Sequence, residues 1–90
     1  MNKAEFISAV AEAASSSKSD ATAHVEAMIN VITSSLKGGT EVAIAGFGSF
    51  KSKRREARTG RNPRTGESIQ IAASNVPSFK AGKALKDALN

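Results

Sequence analysis

Seven of the chain's cations fall within fourteen residues: Lys51, Lys53, Arg54, Arg55, Arg58, Arg61 and Arg64, offset by the single acid Glu56. Such a run repels itself and buries little, so folding alone does not explain it. Its natural partner is a polyanion with regularly spaced charge, and a nucleic acid supplies that. The net charge of these fourteen residues is +6. The first fifty residues carry a net charge of −2 and the last twenty-six a net of +1. The basic stretch is therefore the origin of the overall +5. A smaller cationic set, Lys80, Lys83 and Lys86, follows near the C-terminus, and Lys3 stands near the N-terminus.

Other chemistries find few residues to work with. The chain has no Cys, Trp or Tyr and one His. Disulfides, thiol nucleophiles and zinc fingers are excluded, and a multi-ligand metal site is not expected. His24 has no acid or thiol partner nearby in sequence. Gly46-Phe47-Gly48 lacks the third glycine and following helix of a dinucleotide fingerprint and reads as a turn between strands. No nucleophile stands with a base, and no carboxylate pair suits acid–base work. The expectation is a protein that is no enzyme, needs no cofactor and takes no small-molecule substrate. No run of about 18 apolar residues could cross a membrane. Met1 to Phe6 includes an acid where a secretory signal would be apolar, so a soluble intracellular location is expected.

The elements that position the basic stretch follow from periodicity. Asn2 with Glu5 three residues on marks a helix start, continued by Phe6, Val10 and Ala14 at four-residue steps. Ser15-Ser16-Ser17 breaks the pattern, and Ser17 with Asp20 caps a second helix. Ala21, Val25, Met28, Ile29, Ile32 and Leu36 form its stripe, and Gly38-Gly39 ends it. Val42 and Ile44 then alternate as a strand, Gly46 to Gly48 turns, and Ser49-Phe50 restarts. Asn62-Pro63-Arg64-Thr65-Gly66 has strong turn chemistry. A two-stranded ribbon is therefore expected over the basic residues, with its tip near 60–66. Ile69 and Ile71 mark where the returning strand rejoins the core. Residues 76–90 are expected to form a C-terminal helix, with Phe79, Leu85 and Leu89 inward and Lys80, Lys83 and Lys86 on the opposite face. The whole chain, 1–90, is expected to form one domain: a helical hairpin over 1–39, sheet and arm over 40–75, then the last helix. The fold class is α+β.

The core is thin. Of 36 apolar residues, 16 are alanine. A small domain without disulfides or metal commonly completes its burial by oligomerising, so a homodimer is expected.

In an extended ribbon Lys53, Arg55, Ala57, Thr59 and Arg61 point one way, and Arg54, Glu56 and Arg58 the other. Cations on both faces suit a ribbon lying in a groove between two phosphate walls. Arginine favours bidentate phosphate contacts and narrow, electronegative minor grooves. Pro63 at the tip, between Arg61 and Arg64, is a rigid apolar group without a donor. It can serve simply as a turn proline, or as a wedge that unstacks base pairs.

Gly46-Phe47-Gly48-Ser49-Phe50, then Arg55, Arg58, Gly60-Arg61-Asn62-Pro63 and Thr65-Gly66, closely resemble the signature of the bacterial histone-like HU family, relatives of integration host factor. Met1-Asn2-Lys3 and the stretch from Phe79 to Ala88 are also similar, so the resemblance runs along essentially the whole chain. It implies an intertwined homodimer with a helical body below an antiparallel sheet. Two protruding β-ribbon arms would wrap the minor groove, and Pro63 would intercalate. HU and integration host factor are known architectural proteins that kink DNA in this way. The resemblance also implies DNA contacts by Lys3, Lys53, Arg55, Arg58, Arg61, Asn62, Pro63, Arg64, Lys80, Lys83 and Lys86. Phe47, Phe50 and Phe79 would lie in the dimer core. The chain departs from the pattern at Ser15-Ser16, where Gly-Leu is frequent, at Ser52, where an apolar residue is usual, and at Ala72 and Ala81, where prolines are found. Lost packing at 16 and 52 predicts a dimer less stable than the family norm by about 1–3 kcal/mol.

The expected function is sequence-tolerant architectural binding that bends, wraps and compacts double-stranded DNA in the nucleoid of a bacterial cytoplasm. Nicked or junction DNA, already flexible, would be preferred. The alternative is a site-specific bending subunit like integration host factor. A general RNA or polyanion binder fits less well, because RNA readers usually present stacking aromatics and all four aromatics here are Phe within apolar patterns.

Overall fold

The computed structural model describes residues 1–90 and contains three helices and five strands. The chain divides into two compact units, Met1–Ser34 and Ser35–Asn90.

The first unit is a helical hairpin. Helix α1 spans Lys3–Ala14 and helix α2 begins at Lys18 and runs to Lys37. Asn2 caps α1, its Oδ1 accepting from the Glu5 amide at 2.8 Å. Ser17 caps α2 in the same way, its hydroxyl accepting from the Asp20 amide at 3.0 Å. Both helix starts therefore lie where the capping residues indicate. The hairpin core is small, consisting of Ile7, Ala11, Ala21 and Val25, with Val10 against it. Phe6, Met28, Ile29 and Val31 remain exposed.

Both helices end in the same motif. At α1 the Ser15 amide donates to Glu12 O (3.2 Å) and the Ser16 amide to Ala11 O (2.9 Å). At α2 the Gly39 amide donates to Leu36 O (3.1 Å) and the Thr40 amide to Ser35 O (2.8 Å). The motif needs one left-handed residue. Gly39 supplies it at φ 81°, and Ser15 at φ 53°.

In the second unit, β1 (Val42–Ile44), β2 (Gly48–Arg55) and β5 (Ser74–Ala81) form an antiparallel sheet in the order β1-β2-β5. Val42 faces Phe50, which in turn faces Phe79. The Phe79 ring lies 4.8 Å from that of Phe50 and 5.4 Å from that of Phe47. Gly48 is required here: a Cβ at this position would stand 2.5 Å from the Lys80 carbonyl oxygen and 2.7 Å from the Phe79 ring.

The C-terminal helix is shorter than its sequence pattern suggests. Helix α3 covers only Lys83–Leu89, and Val76, Pro77, Phe79 and Lys80 belong to β5. Pro77 is tolerated because β5 is an edge strand. Gly82 then turns the chain, its amide donating to Phe47 O at 2.8 Å. Phe79 and Leu85 thus lie on different elements, and the spacing of Lys80, Lys83 and Lys86 is not that of one helix face. Leu89, expected to face inward, is exposed.

The ribbon is in two parts. β2 and β5 pair as far as Arg55 with Ser74. Strands β3 (Arg58–Arg61) and β4 (Ser68–Ile71) then form a separate two-stranded sheet, from Arg58 opposite Ile71 to Arg61 opposite Ser68. Glu56-Ala57 and Ala72-Ala73 lie between. Alanine and glutamate favour strands weakly and offer no large side chains for cross-strand pairs, which accounts for the break. Ile69 and Ile71 accordingly sit within the distal ribbon and do not mark its return to a core. The single alternating face from Lys53 to Arg61 is also interrupted at this break.

Candidate nucleic-acid interface

The proximal ribbon has two unlike faces. Opposite residues in an antiparallel pair share a face, and alternation carries that identity along the strand. Lys51, Lys53 and Arg55 lie on one face of β2. Lys80, opposite Ser49, adds a fourth cation to it. The other face carries Val42, Phe50 and Phe79, with Pro77 beside Ser52. The basic face is nearly unopposed, its one ion pair linking Lys51 Nζ to Glu41 Oε1 at 3.9 Å.

In the distal ribbon Thr59 and Arg61 share a face with Gln70 and Ser68, and the Gln70 amide donates to the Thr59 hydroxyl at 3.5 Å. Arg58 and Gly60 occupy the opposite face with Ile71 and Ile69. Arg58 and Arg61 therefore approach a partner from different sides.

The tip is a compact turn. The Asn62 amide donates to Glu67 O and the Gly66 amide to Asn62 O, both at 2.8 Å. The Asn62 side chain accepts from the Arg64 amide at 2.9 Å, and Gly66 takes φ 74°. Asn62 thus braces the turn with main chain and side chain together. Pro63 and Arg64 are left exposed at its apex.

The three C-terminal lysines meet by a route the sequence pattern did not suggest. Lys80 ends a strand while Lys83 and Lys86 lie on α3, yet all three line one shallow groove with Ile44, Gly46 and Ser49. Lys83 also donates to Asp87 Oδ2 at 2.7 Å. Lys3 belongs to the helical unit, where its Nζ stands 3.4 Å from Glu26 Oε1. Arg54, in the ribbon, reaches Glu56 at 3.7 Å. Each such exposed pair is worth at most about 1 kcal/mol, so phosphate can replace the acid. Lys53, Arg55, Arg58, Arg61, Arg64, Lys80 and Lys86 have no ion-pair partner to displace.

The rings of Phe47 and Phe50 both lie against that of Phe79, and Phe47 and Phe79 are each 43% exposed. Ile69, Ile71 and Gln70, read from sequence only as the end of the arm or not at all, prove to be part of it. The alternating Ile69-Gln70-Ile71 was the available signal. No group of His, Cys, Asp or Glu is placed to hold a metal ion.

The family model for bacterial DNA-binding proteins matches residues 1–90. The chain therefore belongs to the bacterial DNA-binding protein family. Its relatives there include HU proteins. It is 58% identical to DNA-binding protein HU-alpha of Aeromonas hydrophila, over 99% of both chains. It is 55% identical to DNA-binding protein HU 1 of Bacillus subtilis, over 99% of this chain and 97% of that one. Among solved structures, an HU–DNA cocrystal from Anabaena superposes with a TM-score of 0.90 at 45% identity, covering 99% of this chain and 97% of the other. HU from Thermotoga maritima superposes with a TM-score of 0.70 at 32% identity over the full length of both.

Proposed function

We propose that this protein is a sequence-tolerant architectural DNA-binding protein that acts as a homodimer to bend, wrap and compact duplex DNA. The nucleoid of a bacterial cytoplasm is its place of action. The observation that carries this reading is the arm: unpaired cations lead along β2 and β3 to a braced turn with an exposed proline at its apex.

The mechanism follows from that arrangement. Lys53 and Arg55 neutralise phosphates near the sheet, and Arg58 and Arg61 do so on either side of the distal ribbon. Each phosphate neutralised releases condensed counterion and contributes affinity that declines with salt. Arginines follow the narrow, electronegative minor groove. Pro63 offers a rigid surface with no hydrogen-bonding demand of its own, suited to entering between base pairs and unstacking them. Unstacking costs a few kcal/mol, offset by the additional protein surface that kinked DNA can contact. Lys80, Lys83 and Lys86 around their groove hold the flanking duplex, and Lys3 on the helical unit is a separate phosphate contact. No base-specific set of donors is required, so the binding tolerates sequence.

The homodimer rests on burial. Only Ile7, Ala11, Ala21 and Val25 are buried within one chain. Ile44, Phe47 and Phe79 on the sheet unit and Met28, Ile29 and Val31 on the helical unit remain exposed. Covering these six at roughly 1 kcal/mol each supplies about 6 kcal/mol per subunit, which a single chain of this size lacks. A second copy carries the matching apolar surface.

The test is a duplex labelled at its two ends with a fluorescence donor and acceptor. Binding is expected to bring the ends together, and more strongly when the duplex carries a central nick. Saturation without any change in end-to-end distance would refute bending.

A further inference from the structure

The returning side of the arm carries an unguarded strand edge. Between Glu67 and Lys80 no residue is charged, whereas the outgoing strands hold Lys51, Lys53, Arg54, Arg55, Arg58 and Arg61. Strands β3 and β4 pair only with each other, so each also presents an outer edge. The phase of the ladder shows which groups line it. The Asn62 amide donates to Glu67 O, and in an antiparallel pair every second couple is bonded in this way. Gly60 with Ile69 and Arg58 with Ile71 are then the bonded couples, and the main-chain groups of Ser68 and Gln70 point away from β3. Edge strands are ordinarily guarded by charge, proline or a bulge, and β4, Ser-Ile-Gln-Ile in unbroken register, has none of these. The edge of β3 is guarded by Arg58 and Arg61.

We infer that in the DNA-free protein the β4 edge pairs, antiparallel, with the β4 edge of a second copy of this chain, about a two-fold axis at Gln70. The faces set the register. With Gln70 opposite Gln70 of the second copy, each Ile69 stands opposite an Ile71, and the apolar faces of the two arms join into one. Ile69, 43% exposed on a single arm, gains a β-branched neighbour across the strands. The outward amide and carbonyl of Gln70 bond their counterparts. A one-residue slip sets isoleucine opposite glutamine and loses the match. Charge selects this occupant. In the joined sheet the two arginine-bearing β3 strands lie three strand spacings apart, about 14 Å, beyond the screening length of about 8 Å at physiological salt. Pairing through the β3 edges instead brings those arginines onto neighbouring strands. An acidic strand is drawn to β3 in preference to a neutral edge. In the antiparallel arrangement Arg64 at each tip approaches the cationic base of the other arm, so some repulsion remains, and salt that screens it strengthens the pairing. Four residues a side make a small contact, with a Kd on the order of millimolar.

The experiment is sedimentation equilibrium of the full chain without DNA, from micromolar to millimolar protomer, at low and high salt. The weight-average mass is expected to grow beyond that of the smallest unit as concentration rises, and to grow more at high salt. Gln70→Pro removes only an outward N–H, so pairing with β3 is kept and growth is expected to stop. Gln70→Lys sets like charges opposite each other and is expected to weaken association at least about tenfold at low salt. Thr59→Lys adds the same charge to the β3 edge and is expected to associate as wild type does. The inference is overturned by a wild-type mass that stays at the smallest unit, by growth in Gln70→Pro equal to wild type, by equal losses in the two lysine variants, or by association that declines with salt. It stands on the arm alone: a smallest unit that is a monomer contradicts the homodimer, and only the growth from that unit bears on the edge.

Discussion

Ser15 holds a backbone conformation that its side chain opposes. It sits at φ 53°, ψ 41° after α1, closing the same pair of hydrogen bonds that Gly39 closes after α2. A left-handed conformation costs an L-residue about 1–2 kcal/mol and costs glycine nothing. Replacing Ser15 by glycine relieves that strain but frees the unfolded chain by about 0.4–1 kcal/mol. The Ser15 side chain makes no hydrogen bond that the change would remove. The net gain for Ser15→Gly is therefore about 0.5–1 kcal/mol per chain, or about 1–2 kcal/mol for a dimer. A dimer of this size gains roughly 2–4 °C per kcal/mol, which places the rise in Tm at about 2–8 °C. The assay is a circular dichroism melt at one fixed protomer concentration, since Tm in a dimer depends on concentration. Ser15→Ala, which keeps the strain, is expected to show no such rise. Gly39→Ser, which introduces the strain at α2, is expected to lower Tm by a comparable amount. A Tm for Ser15→Gly at or below wild type would refute the reasoning.

Three further outcomes are expected. Gly48→Ala places a methyl group against the Lys80 carbonyl and the Phe79 ring, and should destabilise the protein by about 2–3 kcal/mol, read from its denaturant midpoint; an unchanged midpoint would mean the sheet can shift at no cost. Sedimentation equilibrium should find a dimer at micromolar concentration; a folded monomer under these conditions would contradict the account of the exposed Phe47 and Phe79. Pro63→Ala should leave the salt slope intact while reducing the preference for nicked over intact duplex severalfold; an unaltered preference would remove the wedge role.

Features set by local chemistry were legible in the sequence. Asn2 and Ser17 cap helices because each places one oxygen within reach of an amide three residues on, and nothing distant is needed. The 62–66 turn was equally local, fixed by an Asn side chain, a proline and a glycine at positive φ. Net charge located the basic stretch without any knowledge of pairing. What the sequence concealed depends on partners far along the chain. Phe79 belongs to a strand because Phe50, twenty-nine residues earlier, stands opposite it; by spacing alone it fits the helical series of Leu85 and Leu89. The interruption at Glu56-Ala57 is visible only once Ala72-Ala73 are known to lie across from it. That interruption also hid the position of Ile69 and Ile71, whose alternation resembles a strand entering a core and in fact forms one face of the arm. Lys80, Lys83 and Lys86 illustrate both cases. Their spacing suggested one helix face, which is incorrect, yet the turn at Gly82 brings them around one groove.

The central claim is that the arm kinks DNA and does more than neutralise it. The direct test is fluorescence anisotropy with DNA of one length in intact, nicked and four-way-junction forms, at several salt concentrations. The label belongs on the DNA, because the protein has no Trp or Tyr. The account predicts tighter binding to the nicked and junction forms, with the preference persisting as salt rises, because prior flexibility lowers the bending cost whatever the ionic strength. Equal binding to all three forms, lost together as salt increases, would contradict it and reduce the arm to an electrostatic clamp.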